Sequence, residues 1–106
     1  VGLGLTAYIN VRLEKHTESH KRNPMDVFRA SVQTWPEVVE CAALTGEMDY
    51  LLRVVVPDIA AYDAFYKRMI AKIEIRDVSS AFAMEQIKYT TEMPLDYMIV
   101  DKESAA

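Results

Sequence analysis

Residues 38–56, VVECAALTGEMDYLLRVVV, decide how the rest of the chain must fold. Two apolar runs rich in β-branched residues flank Thr45-Gly46-Glu47-Met48-Asp49. Short apolar runs bounded by turn residues read as buried strands, and a brief Gly- and Asp-containing link between them reads as a hairpin. Gly46 is expected to supply the positive φ of the loop, and Asp49 to accept hydrogen bonds from loop amides. The hairpin strands are expected over 38–45 and 50–56.

Outward from the hairpin, the same logic assigns the flanking elements. Leu5, Ala7, Ile9, Val11 and Leu13 alternate with Thr6, Tyr8, Asn10 and Arg12, which is the period of a strand. The polar run 14–23 is a loop, and Asn23-Pro24 then reads as an N-cap followed by the first helical residue. Met25, Phe28, Val32 and Trp35 form one stripe of that helix, which Trp35-Pro36 ends. Past the hairpin, Asp58 caps a second helix whose stripe is Tyr62, Phe65, Met69 and Ile73. Residues 78–84 alternate again as a fourth strand, and the stretch from Gln86 to Val100 is extended, with Pro94 limiting regular pairing.

The order β-α-β-β-α-β is that of an α+β, ferredoxin-like fold: a four-stranded antiparallel sheet with two helices on one face. Both faces of the hairpin strands are apolar, Leu51 and Val55 against Leu52, Val54 and Val56. A sheet wetted on one side shows cleaner alternation. We therefore expect a second subunit to cover the open face.

Composition narrows the function. With 106 residues and 51% hydrophobic content, the chain supports a single core. No apolar run approaches the roughly 20 residues that cross a bilayer, and the opening VGLGLTAYINVRL has no signal-peptide pattern. The chain opens without Met and in mid-strand, which leads us to expect a fragment or a processed chain. A lone Cys41 forms no intrachain disulfide and fits a reducing cytoplasm, and its place among apolar residues reads as a buried structural thiol. A net charge of −4 without a basic stripe argues against a DNA-gripping surface on these residues. His16 and His20 stand four apart but lack an evident third ligand, so no metal site is expected. The aromatic set Phe28, Trp35, Tyr62 and Phe65 is core, and no cofactor is expected. Arg53, alone in an apolar strand, is read as an interface ion pair or a side chain reaching the rim, with a carboxylate anchor as the alternative.

Three segments together carry a family resemblance: VGLGLTAYINVRLEKH (1–16), WPEVVECAALTGEMDYLLRVVVPDIAAYDAFY (35–66) and VSSAFAMEQIKYTTEMPL (78–95). The specific parts are Pro36-Glu37-Val38, the Thr-Gly-x-x-Asp-Tyr turn running into Leu51-Leu52-Arg53-Val54, and Lys88-Tyr89-Thr90-Thr91. The chain resembles the effector domain of Lrp/AsnC-type (feast/famine) transcription regulators. The resemblance implies a sensing and oligomerisation domain over 1–95 with a tail over 96–106, normally preceded by a helix-turn-helix that this sequence lacks. It implies homodimers paired through their sheets, assembled as octamers of four dimers, with an amino acid or related metabolite bound between dimers.

The resemblance also implies that Thr45, Gly46, Glu47, Met48, Asp49 and Tyr50 line the effector pocket. Asp49 or Glu47 suits an ammonium group. Loop amides and the hydroxyls of Thr45, Ser79 or Ser80 suit a carboxylate. The alternative for Gly46 and Asp49 is that they only shape the hairpin. Two other functions compete: a ligand-free assembly module, and a dimeric α+β barrel enzyme such as a cofactor-free monooxygenase. The apolar core stripes hold no convergent titratable groups, which counts against catalysis.

Overall fold

The computed structural model describes residues 4–15 and 23–91. Its elements run β1 (Leu5–Leu13), α1 (Pro24–Val32), β2 (Val38–Ala43), β3 (Asp49–Val56), α2 (Ile59–Lys72) and β4 (Ile75–Phe82). The strands form one sheet in the order β2-β3-β1-β4, every neighbour antiparallel. This is the expected βαββαβ fold.

Both helices start where their caps dictate. The Asn23 side chain accepts from the Met25 amide at 2.8 Å, with Pro24 next in line, and the Asp58 carboxylate accepts from the Ala61 amide at 2.8 Å. Each such cap is worth about 1 kcal/mol, because it satisfies an amide that the helix itself leaves unpaired. Helix α1 stops at Val32, three residues before the Trp35 expected to end it, as Thr34 donates from both its amide and its hydroxyl to the Ser31 carbonyl.

Strand parity divides the sheet cleanly. Ala7, Ile9, Val11 and Leu13 of β1 and Tyr50, Leu52, Val54 and Val56 of β3 are buried under the helices, against Phe28, Trp35, Phe65, Met69 and Ile73. Trp35 meets Phe65 edge-on at 5.5 Å between ring centroids, which locks the end of α1 to the middle of α2. The opposite face is open. It carries Thr6, Tyr8 and Asn10 of β1, Leu51, Arg53 and Val55 of β3, and Ala42 and Ala81 at its flanks.

Three sequence expectations need correction here. Unbroken alternation over the 38–45 strand would put Val38 on one face with Ala42, but a bulge between Val38 and Glu40 inserts a residue, so Val38 faces the helices together with Cys41 and Ala43. Strand β4 begins at Ile75, three residues early, because Glu74 and Ile75 already run beside the end of β1, where the Glu14 amide bonds the Glu74 carbonyl at 3.0 Å. Cys41 is exposed and not buried: β2 is an edge strand that α1 covers only in part. The His16 and His20 pair and the chain from residue 92 onward lie outside the described residues.

Candidate functional site

Three chain segments meet at one end of the sheet: the β2–β3 loop, the end of β1 and the start of β4. Leu44 donates to the Asp49 carbonyl at 2.8 Å and closes the hairpin, and Leu13 donates to the Met48 carbonyl at 2.9 Å, tying the loop to β1. The positive φ of the loop falls on Met48 (φ 55°) and not on Gly46. Gly46 is required for another reason. A Cβ there would stand 2.9 Å from Asp49 Oδ2 and 3.2 Å from Asp49 Cβ, so the missing side chain makes room for the carboxylate.

Beside this loop lies a cleft of about 280 Å³ lined by Arg12, Leu13, Lys15, Glu47 and Arg76. Each of its three cations has an acid nearby. Lys15 Nζ is 2.6 Å from Glu47 Oε1, an Arg12 guanidinium nitrogen is 3.8 Å from Asp49 Oδ2, and Arg76 Nε is 4.0 Å from Asp77 Oδ2. The hydrogen bond and charge of Lys15 hold the Glu47 carboxyl below its ordinary range. Asp49 differs from the others: its side chain is mostly buried, and its Oδ1 is fully buried with no hydrogen-bond partner. The expected bonds from loop amides to Asp49 are not made; the carboxylate faces Arg12.

The eight sequence candidates do not all converge. Only Glu47 lines the cleft; Gly46 and Asp49 lie against each other beside it, Asp49 reaching it through Arg12, with Thr45 exposed on the loop and Met48 half-buried. Tyr50 turns to the helix side and packs on Phe28 at 4.5 Å. Ser79 and Ser80 occupy opposite faces: Ser79 lies beside Asn10 on the open face, and Ser80 bonds the Tyr62 hydroxyl at 2.7 Å under α2. Arg12, Lys15 and Arg76 were not singled out as ligand groups in the sequence. The register that aligns Arg12 with Asp49 and Asp77 brings them in, and no local motif announces it. Arg53 pairs within its own chain, with Glu40 at 3.0 Å on the open face, and that hydrogen bond holds its proton more firmly still.

The architecture agrees with comparison to known proteins. The Lrp/AsnC ligand binding domain model matches residues 6–93. The chain belongs to the Lrp/AsnC ligand-binding domain family. Among its Lrp/AsnC relatives, the DNA-binding transcriptional activator DecR of Escherichia coli is 42% identical over 97 residues, covering 91% of this chain and 61% of DecR. An AsnC family transcriptional regulator from Agrobacterium tumefaciens superposes with a TM-score of 0.73 at 62% identity, covering 92% of this chain and 61% of that one. Regulator NMB0573 of Neisseria meningitidis, solved with L-Met, gives a TM-score of 0.76 at 38% identity, with 92% and 60% covered. The chain thus spans about six-tenths of the length of these Lrp/AsnC proteins. These relatives are transcription regulators. No helix among the described residues is long and apolar enough to cross a membrane.

Cys41 offers chemistry of its own only at high pH. Although the residue is exposed, its thiol is partly screened in the cleft it lines with Phe28, Arg29 and Tyr50, and that desolvation pushes its pKa up, against a smaller downward pull from Arg29. The thiolate is the nucleophile, so a raised pKa leaves less of it at neutral pH. We expect iodoacetamide to label Cys41 more slowly than free cysteine at pH 8, with a rate still climbing beyond the free-thiol range. A rate–pH curve whose midpoint fell at or below that of free cysteine would contradict this.

Proposed function

We propose that this domain is the amino-acid-sensing and assembly part of a DNA-binding transcription regulator. The observation that carries the reading is the cleft by the β2–β3 loop. It is lined by Arg12, Lys15, Arg76 and Glu47, with Asp49 and Asp77 paired to the two arginines from just outside it and one buried Asp49 oxygen left without a partner. Such a balanced set suits a zwitterion better than an anion, because each end of the ligand replaces a partner already present. The ammonium goes to Asp49 or Glu47. The carboxylate goes to Arg12, Lys15 or Arg76, helped by loop amides and the Thr45 hydroxyl. Tyr50 and Ser80 turn to the helix side and Ser79 to the open face, so these three stand outside the cleft. The L-Met bound by the Neisseria regulator lends weight to an amino acid as ligand.

The open face, with Tyr8, Leu51 and Val55 each more than a third exposed, is the surface through which two copies pair as a homodimer. In this reading four dimers form an octamer, and the ligand sits where dimers meet. The domain spans 1–95 with a tail over 96–106, acts in the cytoplasm, and reaches DNA through a helix-turn-helix outside this sequence. Ligand binding shifts the assembly by its differential affinity for two arrangements.

A thermal-shift screen against the twenty amino acids, with calorimetry on each hit, tests the reading. A ligand that binds only the folded form raises the melting temperature, increasingly above its Kd. At a hundredfold excess over Kd the gain is about 2.7 kcal/mol. A blank screen on an intact dimer rejects amino-acid sensing and leaves the assembly module, which the exposed apolar residues of the open face favour on their own.

A further inference from the structure

The open face of the sheet carries an ion pair at its middle, framed by apolar side chains. The register places Glu40, Arg53, Tyr8 and Ala81 in one row that crosses β2, β3, β1 and β4. Arg53 stands on a central strand, midway along β3. Leu51 and Val55 flank it on the same face, and Tyr8 lies beside it. Among the described strand residues, the other charges that the register puts on this face are Arg12, Asp49 and Asp77, and they form a row at the end of the sheet.

The bulge in β2 is what brings Glu40 to Arg53. Unbroken pairing onward from Val38 opposite Val54 would set Val39 against Arg53 and turn Glu40 towards Leu52, on the helix side. The extra residue moves Glu40 to the open face instead, where its Oε1 accepts from Arg53 Nε at 3.0 Å. Tyr8 and Tyr89 also act electrostatically on the same guanidinium, more weakly than Glu40. On a surface left in water such a pair contributes little to folding. A bulge that re-aims an acid onto the one cation at the middle of the face therefore serves something other than the stability of the single chain.

Self-pairing supplies that purpose. Two identical faces meet about a twofold axis, so a side chain near the middle approaches its own copy. Stacked sheets lie about 10 Å apart, a gap that two long side chains span. Two uncompensated guanidinium groups brought together there, out of water, would repel strongly. We infer that Glu40, aimed by the bulge, neutralises Arg53 within each copy and is thereby the residue that permits this face to bury against a second copy. The partner such a face fits is apolar around a neutral centre, which another copy of the chain provides. The inference rests on the self-pairing proposed above and not on ligand binding.

Reversing one charge at a time tests it. Glu40→Arg gives each copy two positive groups at the middle of the face, and Arg53→Glu gives each two negative ones. Sedimentation equilibrium is expected to find each variant monomeric at concentrations where the parent is a dimer, while far-UV circular dichroism retains the parent's spectrum. An equimolar mixture of the two is expected to recover a dimer, because faces of opposite charge then meet. The milder Glu40→Gln, which keeps the side-chain shape, is expected to weaken the dimer about 30-fold or more, as it leaves Arg53 buried without its partner. Glu40→Met combined with Arg53→Met removes both charges and is expected to pair at least as tightly as the parent. Glu40→Gln or a reversed variant that dimerises as tightly as the parent overturns the role of Glu40 and leaves the self-pairing intact. A mixture of folded reversed variants that stays monomeric, or a monomeric double Met variant, overturns it in the same way. A parent that is itself monomeric overturns the self-pairing and this inference together.

Discussion

Asp49→Ala is expected to abolish the response to the effector while leaving the fold almost unchanged. Stability and binding separate at this residue because of how its carboxylate is placed. Oδ1 is buried without a hydrogen bond, and the only described ion partner, Arg12, stands at 3.8 Å with half of its side chain in water. A buried acceptor without a partner contributes little or negatively to stability, and an open ion pair contributes at most about 1 kcal/mol. The melting temperature should therefore move by only a few degrees in either direction. Binding is a different matter. An ammonium bonded to a carboxylate is a charge-assisted hydrogen bond, whose loss costs roughly 1.5–3 kcal/mol, or about 10- to 150-fold in affinity. Calorimetry on the parent and variant with the best ligand from the screen reads this directly. A variant that binds as tightly as the parent removes Asp49 from the site. One that no longer melts cooperatively makes it a folding residue instead.

Phe65→Ala should produce the largest loss of stability in the molecule. Phe65 is fully buried, meets the Trp35 ring edge-on, and lies beneath the guanidinium of Arg68, 5.7 Å from its centroid. Arg68 in turn pairs with Glu37, which leads into β2. Truncation removes the transfer free energy of the ring and leaves a cavity between α2, the end of α1 and the sheet. The cost is about 3–5 kcal/mol. For a domain of this size that corresponds to roughly 15–30 °C in melting temperature. Phe65→Leu keeps most of the volume and should lose less than half as much. Equal losses in the two variants would mean that ring geometry, not volume, holds this junction.

Much of the fold was legible because local chemistry and global packing agree at the same residues. Asn23 and Asp58 cap their helices as their positions require, and the stripes through Phe28 and Phe65 meet in one core. The β1 alternation sorts helix-side from open-side residues without exception. What escaped the sequence depends on pairing between distant strands. The bulge at Val39 turns Val38 to the helix side, and nothing within VVECAA marks it. Gly46 looked like the positive-φ residue because glycine usually is; its actual task is to leave space for Asp49, while Met48 takes the strained conformation. Cys41 looked buried because its neighbours are apolar, but an edge strand leaves even apolar neighbours wet. The candidate cleft was half legible. The turn motif marks Glu47 and Asp49, whereas Arg12, Lys15 and Arg76 join them only through a register spanning three strands. Ser79 and Ser80, offered as alternative hydroxyls, are separated by the pleat, since adjacent residues in a strand point apart.

The position of Trp35 has a practical consequence for optics. It is the single tryptophan of the chain, it is buried against Phe65, and it also borders a cleft along β2 with Pro36 and Val39. Its emission therefore originates from one indole, shielded from water on the core side and adjacent to the sheet edge on the other. Unfolding shifts that light to the red without any attached dye. The molecule carries its own reporter at the junction of core and edge.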